Sequence, residues 1–348
     1  MNINDSLLIK TRCDLYKYDC RESEIKPFLR NREDLLERQQ KAIKIIEKIM
    51  TAHGKQELLK YVSELARVEH GIRELQPWVR DHVVHALLSF ILGIYINEKF
   101  LGLISKIQVN EFQWKLAGLF HDVGYPAEIA NNVLKPFTDK VNEIKEDFGV
   151  NRPDIISKID PGKFENLQNN INSFDLIQQN LKKWGLQINA RKEYNQIIES
   201  GRIDHGMISS LAVLYVIDIM YEKYNPKREY RDKYVPGTNI NCNQIYFEDD
   251  VVPACSAIYI HNLPKSCFLS SKIDRLKAPV AFLLKLSDCL QQWERPSKTN
   301  QIGFSSNNFD IEIRDGQILF YTNISNEKKK EIKDEISSCL FAPDIIIS

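Results

Sequence analysis

The apolar run Trp114, Leu116, Ala117, Leu119, Phe120 leads straight into an imidazole and a carboxylate, His121-Asp122, and then into Val123-Gly124-Tyr125-Pro126. The run predicts a buried helix over Phe112–Asp122, with Gly124 and Pro126 supplying its C-terminal stop. A ring nitrogen and a carboxylate on neighbouring residues at a helix end are badly placed for packing. They are well placed to point at a shared ion just beyond the last turn. One such pair is more often an accident of the surface, so it constrains the fold only if other parts of the chain answer it.

Other parts do. The sequence holds seven histidines, His53, His70, His82, His85, His121, His205 and His261. His85 lies inside a predicted buried helix, Trp78–Asn97, which is apolar on more than one side. His205 follows Asp204 at the start of the apolar helix Ile203–Met220. His261 ends the apolar stretch Cys255–Ile260. Asp288 interrupts Leu283, Leu284, Leu286 and Leu290 in the helix Ala278–Trp293. Taken singly, a core His is usually hydrogen-bonded to a backbone carbonyl, and a core Asp is usually paired with an Arg. Taken together, burying an uncompensated carboxylate costs several kcal/mol, roughly, and the cost repeats from helix to helix. A shared divalent cation removes it everywhere at once. Imidazole and carboxylate donors suit Mn, Fe, Co, Ni or Zn, and the lack of thiolates fits a catalytic site better than a structural one.

The remaining periodicity predicts amphipathic helices over Arg32–Ala52, Leu58–Val68, Ile129–Phe148 and Phe174–Trp184. Residues 1–32 are mixed and polar with no strong period, and 222–250 read as a polar excursion. After Pro296, Phe309, Ile311 and Ile313 alternate with polar residues. Asp315-Gly316 follows, then Ile318 and Phe320, which is a hairpin signal. Asn326 is the expected cap of a last helix running to Leu340. The fold class is therefore mainly α with a small C-terminal hairpin plus helix. The expected division is an N-terminal helical extension (1–77), a helical metal-binding domain (78–296) with insertions near 135–200 and 222–250, and a small α+β tail (297–348).

Charge and cysteine content narrow the function. Forty-seven basic residues balance 47 acidic ones in a 348-residue chain, which argues against coating nucleic acid by bulk charge. The seven cysteines are scattered without a CxxC, so neither a zinc knuckle nor a disulfide framework is expected, and a reducing compartment fits. Met1–Lys10 has no apolar core of signal-peptide type. The apolar stretch Ala86–Ile96 is too short to span a bilayer. A cytoplasmic protein without a membrane segment is expected.

Arg80-Asp81-His82-Val83-Val84-His85-Ala86, Phe120-His121-Asp122-Val123-Gly124, Asp204-His205-Gly206 with Ser209, and Lys285-Leu286-Ser287-Asp288 together resemble the HD-domain metal-dependent phosphohydrolases. That superfamily carries a His, then a His-Asp pair, then a distant Asp on the helices of an all-α bundle. The resemblance covers roughly residues 78–295. It implies that His85, His121, Asp122 and Asp288 hold a first ion. His82 would be a partner behind the ligands, a substrate contact, or the ligand in place of His85. His205 and His261 fall where two-metal members carry further ligands, and Asp122 would then bridge two ions. Gly124-Tyr125-Pro126 looks like the label of the HD-GYP cyclic dinucleotide phosphodiesterases. It stands directly after His-Asp instead of far beyond it, so it reads as a helix stop.

The activity implied is hydrolysis of a phosphoester by water activated at one or two divalent ions (Mn, Mg, Fe, Co, Ni or Zn), with His205, His82 and Asp122 as catalytic residues. Arg80, Lys285 and Arg295 are the candidate phosphate contacts by position. Neutral net charge favours a small phosphorylated substrate such as a nucleotide. The basic stretch Lys227–Lys233 keeps nucleic acid open, and a homo-oligomer is compatible. The competing expectation is a nucleotide-sensing module that keeps the metal site without turnover, for which the tail beyond residue 300 would be suited.

Overall fold

The computed structural model describes residues 3–30, 35–51, 56–75, 81–129, 131, 162–237, 241–293 and 309–348. The described part is mainly helical with a small three-stranded sheet. Both expected domain boundaries, after 77 and after 296, fall outside the described residues, as do most of the helix expected over Ile129–Phe148 and the two arginines Arg80 and Arg295.

The first 30 residues form two helices, α1 (Ile3–Thr11) and α2 (Glu22–Arg30). No stripe announced α1, because it is buried on more than one side: Ile3, Leu7 and Leu8 are covered, but so are Asn4, Ser6 and Thr11. The polar ones have partners. Asn4 donates from Nδ2 to the carbonyl of Leu29 (3.0 Å) and accepts at Oδ1 from Trp293 Nε1 (3.1 Å). Helices α3 (Leu35–Thr51) and α4 (Leu59–Leu75) follow and pack against each other and against α5 (His82–Ile96).

Every residue of α5 is buried. Asp81 caps it by accepting from the Val84 amide (2.9 Å). A π-helical turn over Asn97–Gly102 continues it, so His82–Gly102 is long and apolar enough to cross a membrane, but 94% of its most apolar window is buried inside the protein. The buried amide of Asn97 exchanges two bonds with the backbone of Val109 (2.8 and 2.9 Å), donates a third to the Tyr18 hydroxyl (2.8 Å), and turns the chain into α6 (Glu111–Phe120). The helix stops at Phe120, two residues before the expected end.

A short helix α7 (Tyr125–Ile129) leads to the 130–161 region. Within the stretch expected to be an insertion, α8 (Ser173–Lys183) and α9 (Ala190–Glu199) bury Phe174, Ile177, Leu181, Tyr194 and Ile197. Helix α10 (His205–Tyr224) is capped by Asp204, which accepts from the Met207 amide (2.9 Å). The polar excursion after it returns through Phe247 and Val251, both buried, into α11 (Val252–Ile260). All of α11 except Pro253 is buried, and it packs against α6, α8, α10 and α12 (Pro279–Leu290). It is the centre of the bundle.

In the tail, β1 (Phe309–Arg314) and β2 (Gln317–Thr322) pair antiparallel with Arg314 opposite Gln317. The two-residue turn between them is Asp315-Gly316, both at positive φ (52° and 79°), the conformation such hairpins require. The last helix, α13 (Asn326–Cys339), starts at Asn326, but its cap is Ser325, whose Oγ accepts from Lys328 N (3.2 Å). A third strand, β3 (Ile345–Ile347), adds parallel to β2. Three consecutive isoleucines carry no alternation, so periodicity could not announce it. The tail docks on the first helix through Lys10 and Ser6, which both bond Asp310 Oδ1 (2.9 and 2.8 Å).

Helices α5 and α6 approach closely where Gly93 faces Trp114. A Cβ at Gly93 would stand 1.9 Å from Trp114 Cζ2, and the indole is pinned by its Nε1 bond to the Phe90 carbonyl (3.1 Å). At an exposed helical site Gly→Ala stabilises by about 0.5–1 kcal/mol. Here Gly93→Ala is expected to destabilise by about 1–3 kcal/mol through overpacking, read as a lowered midpoint in thermal melting.

Candidate metal centre

Five helix ends meet at one place. His85 lies in the second turn of α5. His121 and Asp122 come directly after α6, His205 opens α10, His261 comes directly after α11, and Asp288 sits in the last turn of α12. The carboxylate of Asp122 is the hub. Its Oδ2 is 3.4 Å from His121 Nε2 and 3.7 Å from His85 Nε2. Its Oδ1 is 3.2 Å from His205 Nε2 and 3.7 Å from His261 Nε2. Asp288 Oδ1 lies 2.9 Å from His85 Nε2. Two overlapping groups, His85–His121–Asp122 and Asp122–His205–His261, each bring their ligand atoms within 4.8 Å of one another. They share Asp122.

The outer nitrogen of each ring explains why the inner one is available. His121 Nδ1 donates to the Gly118 carbonyl (3.1 Å) and His261 Nδ1 to the Ile258 carbonyl (2.7 Å). Both rings are helix C-caps that satisfy a carbonyl three residues back, one of the groups every helix end leaves open. His85 Nδ1 donates to Gln291 Oε1 (2.6 Å), and that amide is oriented by its own Nε2 bond to the Trp293 carbonyl (2.7 Å). His205 Nδ1 donates to Glu128 Oε2 (2.6 Å). With four Nδ1–H groups engaged by acceptors, the four Nε2 atoms face inward, the arrangement in which histidines hold metal ions. The donor set is imidazole and carboxylate with no thiolate, so the residues fit one or two divalent cations.

Burial makes the charges consequential. His121 and Asp122 are 0% and 4% exposed, and His85 and His261 are 2% exposed. Burial pushes the Asp122 carboxyl up, but the imidazoles of His121, His205 and His261 outweigh it and hold the group well below the usual carboxylate range. Asp288 follows the same pattern, with His85 as the main opponent of burial. Burial, helped by the neighbouring His261 and His205, lowers His121 against the opposing pull of Asp122 and Asp288. Burial also lowers His205, yet its bonds to Asp122 and Glu128 more than reverse this and leave it well above the ordinary imidazole value.

The other expected site residues stand elsewhere. His82 is one turn from His85, but its Nδ1 is on the fully buried Glu69 (2.6 Å), and its ring lies against Tyr125 (3.5 Å between centroids). Tyr125 in turn meets the His205 ring edge-on (5.6 Å). Lys285, expected to contact phosphate, is buried with its Nζ on Glu335 (2.5 Å) and on the carbonyl of His261 (2.9 Å). Its ammonium is used to hold the end of α11 in place, so the expected role as a phosphate contact is corrected to a structural one. Arg80 and Arg295 lie outside the described residues.

Several residues had no place in the sequence reading. Gln291 could have been found, since it is three residues past Asp288 and shares its face. Glu128 and Glu69 had no such signal, because each reaches its histidine across the fold. A cleft of about 210 Å³ beside His205 is lined by Glu128, Ile197, Arg202, Ile203, Asp204, Asn262 and Pro264. Asn262 donates to Asp204 Oδ2 (2.9 Å), and Arg202 uses Nε on Ser200 (3.0 Å). Gly124 is at the heart of the site for a steric reason: a Cβ there would stand 2.5 Å from the His205 carbonyl and 2.7 Å from the Ser209 amide. The expected helix stop is a close approach to α10.

A cation needs the Nε2 lone pair of His205, and the raised pKa of this group keeps a proton there in the ion-free protein. Binding must therefore expel a proton. Calorimetric titration with Mn²⁺ in buffers of different ionisation enthalpy is expected to detect proton release near neutrality. Affinity is expected to fall as the pH is lowered from about 8 to about 6.

Against protein-family models, curated proteins and solved structures the chain finds no match, so what the centre does is read from its geometry.

Proposed function

We propose that the chain is a metal-dependent phosphohydrolase of HD-domain type, acting on a phosphoester of a small nucleotide. The observation that carries the reading is the convergence of four imidazole Nε2 atoms on the two oxygens of Asp122. The order His, His-Asp, Asp along the helices of a bundle supports the HD-type assignment.

His85, His121, Asp122 and Asp288 would hold one ion, and His205, His261 and the other oxygen of Asp122 a second. When bound, such ions polarise a phosphoryl oxygen and lower the pKa of water. The chain's own groups do the rest. His82, whose Nδ1 is held by the buried Glu69, would deliver a proton from Nε2 to a leaving oxygen. The Tyr125 ring, against which the His82 imidazole lies, holds it in place. Arg202 and Asn262 line the cleft next to His205 and would orient a substrate there.

Size supports a small substrate. The cleft, at about 210 Å³, is below the roughly 300–1,000 Å³ of pockets that enclose a whole drug-sized ligand, so it takes only part of a nucleotide. Balanced charge, 47 basic against 47 acidic residues, points the same way. All seven cysteines are free thiols, which favours a reducing, cytoplasmic setting.

The test is turnover of a panel of nucleoside phosphates, cyclic nucleotides and phosphodiesters with Mn²⁺, Mg²⁺, Co²⁺ or Ni²⁺. At least one class is expected to be hydrolysed, and Asp122→Ala is expected to lower kcat/KM by roughly 10³-fold or more. Tight nucleotide binding to the ion-loaded protein with no turnover of any class would replace this reading with that of a sensor.

A further inference from the structure

The two halves of the centre are built differently. The first half has two carboxylates, Asp122 and Asp288, and its outer bonds go to neutral acceptors: the Gly118 carbonyl behind His121 and the Gln291 amide behind His85. The second half has only the shared Asp122. Behind His261 stands a carbonyl, and behind His205 stands a carboxylate, Glu128. Glu128 is thus the one charged group among the four outer acceptors, and it serves the half with fewer negative ligands.

It is also the one that meets solvent. Gln291 is 1% exposed, whereas the Glu128 side chain is 22% exposed and lines the cleft. Oε2 of Glu128 accepts twice from the same residue, from Nδ1 (2.6 Å) and from the backbone amide (3.2 Å) of His205. The carboxylate therefore fixes the ring, its tautomer and the start of α10 together. Helix α7, which carries Glu128, directly follows Asp122 and Gly124.

We infer that Glu128 is a positioning residue that sets how tightly the His205–His261 half holds its ion, and that this half is the exchangeable one of the pair. The inference rests on the metal-centre reading given above and goes beyond it by making the halves unequal. An anionic partner raises the basicity of His205 as a ligand and adds the negative charge that the second half lacks. Such partners are worth roughly 10–100-fold in metal affinity.

The experiment is Mn²⁺ titration of the full chain by calorimetry, with metal counting after dialysis, on wild type, Glu128→Gln, Glu128→Asp and Gln291→Ala. Wild type is expected to take up two ions in two steps. Glu128→Gln keeps the shape and removes the charge. It should weaken only the weaker step, by about 10–100-fold, so that one ion is lost on dialysis. Glu128→Asp restores the charge one methylene short and should recover part of the loss. Gln291→Ala should weaken the tighter step instead. A merely structural role for Glu128 would move both steps together. Equal shifts in both steps, an unmoved weaker step, or a single ion in wild type would overturn the inference. No bound ion at all would remove the functional reading with it. Two ions with measurable turnover and an unmoved weaker step would remove only the role of Glu128.

Discussion

The described structure turns on one buried carboxylate. Asp122 is 4% exposed, and four ring nitrogens lie within 3.7 Å of its two oxygens. In an apolar interior an isolated carboxylate would be protonated or would unfold its surroundings. Here the imidazoles keep it charged despite burial. The rings themselves remain poor company for each other. His85 and His121 stand 3.4 Å apart at Nε2, and the His121 ring lies edge-on to His261 at 5.1 Å. Such crowding of donors is stable when a cation occupies the space they surround, and this is the sense in which the bundle looks built around a ligand.

The fold supplies the crowding through helix termini, where backbone groups lack partners. A C-cap histidine that bonds the carbonyl three residues back satisfies the helix and simultaneously aims its other nitrogen outward along the axis. Helices α6 and α11 use the same device with His121 and His261. Glycine then sets how near these ends come. A Cβ at Gly206 would stand 2.7 Å from the His261 ring, and one at Gly124 would meet the backbone of α10. Packing, capping and ligand placement are one arrangement, so none of these positions can be altered for one purpose alone.

The residues that converge on the centre were legible because charge inside an apolar run is costly wherever it occurs, and periodicity locates apolar runs. His85, His121, Asp122, His205, His261 and Asp288 all follow from that argument. The hairpin was legible from its alternation and its Asp-Gly turn. What failed was whatever depended on three-dimensional proximity. Helix α1 is short and covered on several sides, so it had no stripe, and β3 has three residues and no alternation. Glu128 and Glu69 reach their histidines from other elements, 77 and 13 residues away in sequence. Lys285 was misread because its position near Asp288 along the chain says nothing of which side of α12 it occupies. It lies under Glu335 of the tail.

The N-terminal helices are more than a cover for the bundle. Gln39 of α3 donates to Glu69 of α4 (3.3 Å), Glu69 holds both the backbone amide and Nδ1 of His82 (2.8 and 2.6 Å), and the His82 ring lies on Tyr125, which borders His205. Glu69 is fully buried. Removing the imidazole would take one partner from a buried charge and leave it the Gln39 amide and the His82 backbone N–H, which is destabilising. Through these contacts α3 and α4 reach the residues around Asp122, so the N-terminal helices help to place the edge of the centre as α5 does.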